Sequence, residues 1–128
     1  MLRKNKSVLY IDSEISTKLF TLRMLAHLTG IKFPRLRSGN YTPEEEMQIE
    51  EAIGWLKTRR FIHKYLPVLD ASTMYLMAKK AKHQLGMDCI VVDYLKADSS
   101  KEDAFGAYAN LGAVTDTLKN KIAGDMGI

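Results

Sequence analysis

The chain has 128 residues, 46% apolar and 27% charged, with one cysteine and a formal net charge of +4. These figures exclude a disordered chain, an internal disulfide framework and a cysteine-cluster zinc site, and they fit one soluble globular domain. No apolar run is long enough to cross a membrane, the basic lead-in 1–7 lacks a signal-peptide core, and the positive charge permits a polyanion partner without requiring one.

Val8-Leu9-Tyr10-Ile11 is a β-prone run cut off by Asp12-Ser13-Glu14, so a short strand is expected. Ser16 then fits the N-cap of a helix running to about Leu28. Leu19, Leu22, Met24, Leu25 and Leu28 form its apolar face, and Gly30 stops it. The stretch from Ile31 to Tyr41 reads as irregular. Thr42-Pro43-Glu44-Glu45 is a strong helix start, because threonine caps, proline suits the first turn and the glutamates suit the positive end of the dipole. That helix is expected to reach about Lys57.

Phe61 to Leu66 reads as a second strand ended by Pro67. Ser72 or Thr73 is expected to open a helix through Gln84, closed by Gly86. Cys89-Ile90-Val91-Val92 is a continuous apolar run, which suits a strand buried on both faces. A polar stretch from Lys96 to Asp103 follows, and then a last helix roughly from Glu102 to Ile122. Strands separated by helices imply an α/β fold with parallel pairing and right-handed crossovers. Three strands are few for such a sheet, and another would be expected after the last helix. The chain therefore reads as part of a larger domain.

In a parallel sheet, chemistry collects at the carboxyl ends of the strands. Asp12 and Glu14 follow the first strand, and Asp93 follows Cys89-Ile90-Val91-Val92. An acid ending an apolar strand is the Walker B pattern, whose carboxylate holds the magnesium ion of a bound nucleotide. The same pattern also fits an aspartate that caps a loop. A Walker A loop requires Gly-Lys-Ser/Thr, and none of the eight glycines is followed by lysine. The residues alone support an α/β domain that fits an incomplete nucleotide-binding core.

The motifs nevertheless form an ordered set. Val8-Leu9-Tyr10-Ile11-Asp12-Ser13-Glu14-Ile15-Ser16 resembles the S-L-E-M-S motif of DnaB-like replicative helicases. Leu22-Arg23-Met24-Leu25-Ala26 resembles the R-x-L segment of that family. The stretch from Leu36 to Glu45 is similar to its R-x-G-x-L-x-D-E-D region, Cys89 to Leu95 to its I-V-I-D-Y-L motif, and Leu118-Lys119 to its later L-K helix. The resemblance covers nearly all 128 residues. Ile15 stands in place of methionine, Asp12-Ser13 in place of Ser-Leu as in phage-like members, and Lys96 where glutamine is common.

The resemblance implies residues 1–128 as a single partial RecA-like ATPase domain, a three-layer parallel sheet flanked by helices. It implies ATP and Mg²⁺ as the cofactors of the complete domain. Glu14 would be the catalytic acid that polarises the attacking water, Asp93 the magnesium ligand and Arg23 a contact to the bound nucleotide. Lys96 and Lys101 would contact single-stranded DNA through its phosphates. The implied parent is a hexameric ring in a bacterial or phage-infected cell that couples ATP hydrolysis to duplex unwinding. On this reading the phosphate-binding loop precedes Met1, the arginine finger follows Ile128, and the isolated chain is inactive. The alternative is a non-catalytic RecA-like module that associates with a helicase or with DNA.

His27, His63 and His83 lack metal-ligand spacing and read as packing or surface residues. Cys89 reads as a small core residue. The lysines at 79, 80 and 82 read as a solvated helix face.

Overall fold

A computed structural model describes residues 4–95 and 104–128. Among them lie strands β1 (Val8–Asp12), β2 (Phe61–Tyr65) and β3 (Cys89–Asp93). The helices are α1 (Thr17–Thr29), α2 (Phe33–Ser38), α3 (Pro43–Lys57), α4 (Ala71–Leu85) and α5 (Ala104–Asp116), and a π-helical segment follows at Thr117–Gly124. The three strands form one parallel sheet in the order β2-β1-β3, flanked by helices, as expected for an α/β fold.

The chain divides into two compact units. One comprises residues 1–14 and 60–128 and contains the whole sheet. Its core joins Leu9 and Ile11 of β1 to Met74, Ala78 and Ala81 of α4, with Met87, Val114 and Ile122. Ile62 of β2 and Ile90 and Val92 of β3 pack against this core. Leu9 pairs with Ile62 and Ile90 across the sheet, so the apolar positions of all three strands share one face. The other unit, residues 15–59, holds α1, α2 and α3 around Leu25, Ile31, Leu36 and Ile49.

The local signals explain the helix boundaries. Ser16 Oγ accepts the Leu19 N–H, and Gly30 ends α1 at φ +76°, where a β-carbon would be strained. Thr42 and Glu45 form a reciprocal capping box at the start of α3. Arg35 of α2 adds an ion pair to the same glutamate at 2.7 Å.

Four expectations need correction. Residues 33–38, read as irregular, form the helical turn α2, with Pro34 near its start and Gly39 ending it in the left-handed conformation. Helix α4 begins at Ala71, because the Asp70 carboxylate accepts the Thr73 N–H at 2.8 Å and so caps it ahead of Ser72 and Thr73. The last helix changes to π-helical winding at Thr117 and runs on to Gly124. The strand buried on both sides is β1 and not β3. The residues of β3 are half-buried except Asp93, which is exposed, because β3 is an edge of the sheet among the described residues.

No helix of the described residues is long and apolar enough to cross a membrane.

Candidate functional site

The carboxyl ends of β1 and β3 lie side by side, with Asp12 paired to Asp93 in register. The ladder continues one residue further, where the Ser13 N–H donates to the Asp93 carbonyl at 2.9 Å. On the other side of β1, the Leu66 N–H donates to the Asp12 carbonyl at 2.7 Å. The backbone entering Glu14 is therefore tied to both neighbouring strands. Ser13 Oγ also donates to the Tyr94 carbonyl at 3.1 Å, which fastens the turn after β1 to the turn after β3.

Of the acids singled out in the sequence, Glu14 and Asp93 reach this edge of the sheet with exposed side chains. The Glu14 N–H donates to Asp12 Oδ1 at 2.8 Å, so the buried Asp12 shapes the turn that presents Glu14. The Tyr94 hydroxyl hydrogen-bonds the Glu14 carboxylate, and this raises the Tyr94 pKa. Asp93 ends β3 at the same edge.

Sequence reasoning missed two neighbours. Tyr10 Oη donates to Asp93 Oδ2 at 2.5 Å. Burial first, and then this carboxylate contact, push the Tyr10 pKa up to about 12. His63 stacks on Tyr10 with ring centroids 5.7 Å apart and places Nε2 3.6 Å from Asp12 Oδ2. Burial lowers the His63 pKa, against the opposing pull of Asp12. The two-residue alternation gave only each residue's face within its own strand, not its cross-strand partner. Tyr10, Asp12, His63 and Asp93 all have the parity opposite to the core face.

Arg23 is exposed on α1 and belongs to the other compact unit. Lys96 and Lys101 lie outside the described residues. Cys89 is half-buried at the start of β3.

Among the described residues, no three His, Cys, Asp or Glu side chains converge as a metal cage. A nucleotide-bound Mg²⁺ needs no such cage. It keeps several waters and takes one or two carboxylates together with phosphate oxygens. One exposed aspartate beside one exposed glutamate, at the carboxyl edge of a parallel sheet, fits that donor set.

Comparison with known proteins agrees with this geometry. The family described as the DnaB-like helicase C-terminal domain matches residues 1–128. The replicative DNA helicase DnaB of Geobacillus stearothermophilus is 28% identical over 94 residues, covering 73% of this chain and 21% of that protein. A probable plasmid replicative DNA helicase of Chlamydia psittaci is 23% identical over 128 residues, covering all of this chain and 28% of that protein. The chain thus spans under a third of the length of either relative. A solved DnaB-like replicative helicase, described with its interactions with primase, superposes over 100% of this chain and 31% of its own with a TM-score of 0.79 at 15% identity. At that identity the likeness concerns the fold, and it supports the RecA-like sheet implied by the motifs.

Proposed function

Because the chain belongs to the DnaB-like helicase C-terminal domain family, we propose that it forms the part of a replicative helicase ATPase that carries the two catalytic acids. The observation that carries this reading is the pairing of strand ends. Asp93 and Glu14 are both exposed at the carboxyl ends of neighbouring strands, whose backbones are joined by the Ser13 to Asp93 hydrogen bond.

In this reading ATP is the substrate, and the complete protein couples its hydrolysis to movement along DNA and duplex unwinding. A bound Mg²⁺ would supply positive charge to offset that of the phosphates. Asp93 supplies the carboxylate that holds it. Glu14 orients the attacking water and accepts its proton, which requires an exposed carboxylate on a fixed backbone. The Tyr94 hydroxyl lies beside Glu14, whose carboxylate raises the Tyr94 pKa. Arg23 contacts the nucleotide, and Lys96 and Lys101 contact the phosphates of single-stranded DNA. The assembly is a hexameric ring working in the cytoplasm of a bacterial or phage-infected cell.

These 128 residues contain no Walker A sequence, so pure chain is expected to show negligible Mg²⁺-dependent ATP turnover. Strong turnover by the chain alone would contradict the reading. In a helicase subunit that carries these residues together with a phosphate-binding loop, Glu14→Gln is expected to lower turnover by about 100-fold or more while nucleotide binding persists. Unchanged turnover would remove Glu14 from the mechanism.

A further inference from the structure

We propose that Tyr10 is a positioning residue for Asp93, holding the carboxylate by Oδ2 and leaving Oδ1 for the cation. This rests on the reading of Asp93 as the magnesium ligand.

The argument begins with register. Asp12 pairs with Asp93, so Tyr10, two residues earlier on β1, is the diagonal neighbour of Asp93 on the same face. A tyrosine is long enough to span that diagonal, and its hydroxyl reaches Asp93 Oδ2 at 2.5 Å. The length is that of a charge-assisted O–H to carboxylate bond, about 2.5–2.7 Å. The ring cannot easily swing away. His63 stacks on it at 5.7 Å and 28°, and Phe61 lies against it at 6.4 Å and 56°. Both residues come from β2, on the side of β1 away from Asp93. Three adjacent strands thus contribute to the aim of one carboxylate. Packing does not require it, because a phenylalanine would fill the same ring space. What the hydroxyl adds is a fixed orientation for an otherwise exposed side chain. Partners of this kind commonly change metal affinity about 10–100-fold when removed.

The test uses the isotope-labelled 128-residue chain with Mn²⁺ alone as the probe. Paramagnetic broadening is expected to centre on the Asp93 resonances and to vanish in Asp93→Asn. Tyr10→Phe is expected to raise the Mn²⁺ concentration for half-broadening by about tenfold or more, with little change in the urea midpoint. A purely structural role would do the reverse, lowering the midpoint without moving metal affinity. Unchanged Mn²⁺ affinity in Tyr10→Phe, with Asp93→Asn still abolishing broadening, would overturn the role of Tyr10 and leave that of Asp93 intact. Absence of broadening at Asp93 in the unaltered chain would overturn both. A Mg²⁺ titration of the unaltered chain needs no variant. The Tyr10 ring Cζ resonance is expected to shift at the same metal concentration as Asp93 Cγ, and a shift at Asp93 that leaves Tyr10 still would also overturn the proposal.

Discussion

His63 Nε2 lies 3.6 Å from Asp12 Oδ2, and the two side chains are only 4% and 3% exposed. Burial lowers the His63 pKa below its ordinary 6.5, and the nearby carboxylate offsets this only in part. The unfolded chain therefore binds a proton at a pH where the folded chain does not. The sign follows: stability is full above about pH 6.5 and declines as pH falls below that value. His63→Phe keeps an aromatic ring against Tyr10 and is expected to flatten the decline. Urea midpoints for both proteins between about pH 7 and pH 5 check this. A midpoint that rises on acidification would show that the Asp12 attraction outweighs burial.

Asp70 caps α4 through the Thr73 N–H at 2.8 Å and also accepts the Ser72 hydroxyl at 2.6 Å. Asp70→Ala is expected to cost about 1 kcal/mol. The Ser72 and Thr73 bonds hold the Asp70 pKa below its ordinary 3.8. Its contribution is therefore present above the ordinary value and is lost as pH falls through the lowered one. Chemical denaturation near neutral pH and in acid should show the difference between wild type and variant shrinking in acid.

Two apolar residues on α4 separate packing from mere hydrophobicity. Met74 is 0% exposed in the core under the sheet, whereas Leu76 is 64% exposed. Met74→Ala is expected to cost about 2–5 kcal/mol, through lost burial and a residual cavity. Leu76→Ala should stay within about 0.5 kcal/mol. Comparable losses at both positions in urea unfolding would contradict the placement of α4.

Arg23 is exposed on α1 and is proposed to touch nucleotide rather than to support packing. In an ATPase-competent subunit, Arg23→Ala is expected to weaken nucleotide binding about tenfold, equivalent to about 1.4 kcal/mol, while turnover at saturation persists. Fluorescent-nucleotide titration beside steady-state ATPase assays checks the split. An unchanged affinity would return Arg23 to the solvated surface.

The fold was largely legible because its boundaries rest on local chemistry. Ser16, Gly30, Thr42, Glu45 and Gly86 each act within one helical turn, and each is found at the end expected for it. Asp70 was missed because Ser72 and Thr73 are equally good caps in isolation, and only the observed hydrogen bonds rank the three. The half-burial of β3 was illegible because it depends on strand order, which no window of neighbouring residues contains. The acids at 14 and 93 could be read from their positions after apolar runs, and the structure brings them to one edge. Tyr10 and His63 could not be singled out. Their relation to Asp93 and Asp12 needs the cross-strand register, which links positions more than fifty residues apart.

That register ties two properties that seem separate. Along β1, odd-numbered Leu9 and Ile11 enter the core while even-numbered Tyr10 and Asp12 lie on the opposite face, against Asp93 and His63. A deletion of one residue ahead of Tyr10 would exchange the two sets, driving a carboxylate and a phenol into the core and two aliphatic chains toward the site. Stability and chemistry therefore share a single reading frame within the strand. Substitutions at Leu9 and Ile11 should give folding defects alone, whereas those at Tyr10 and the buried Asp12 should disturb the site and, at Asp12, folding as well.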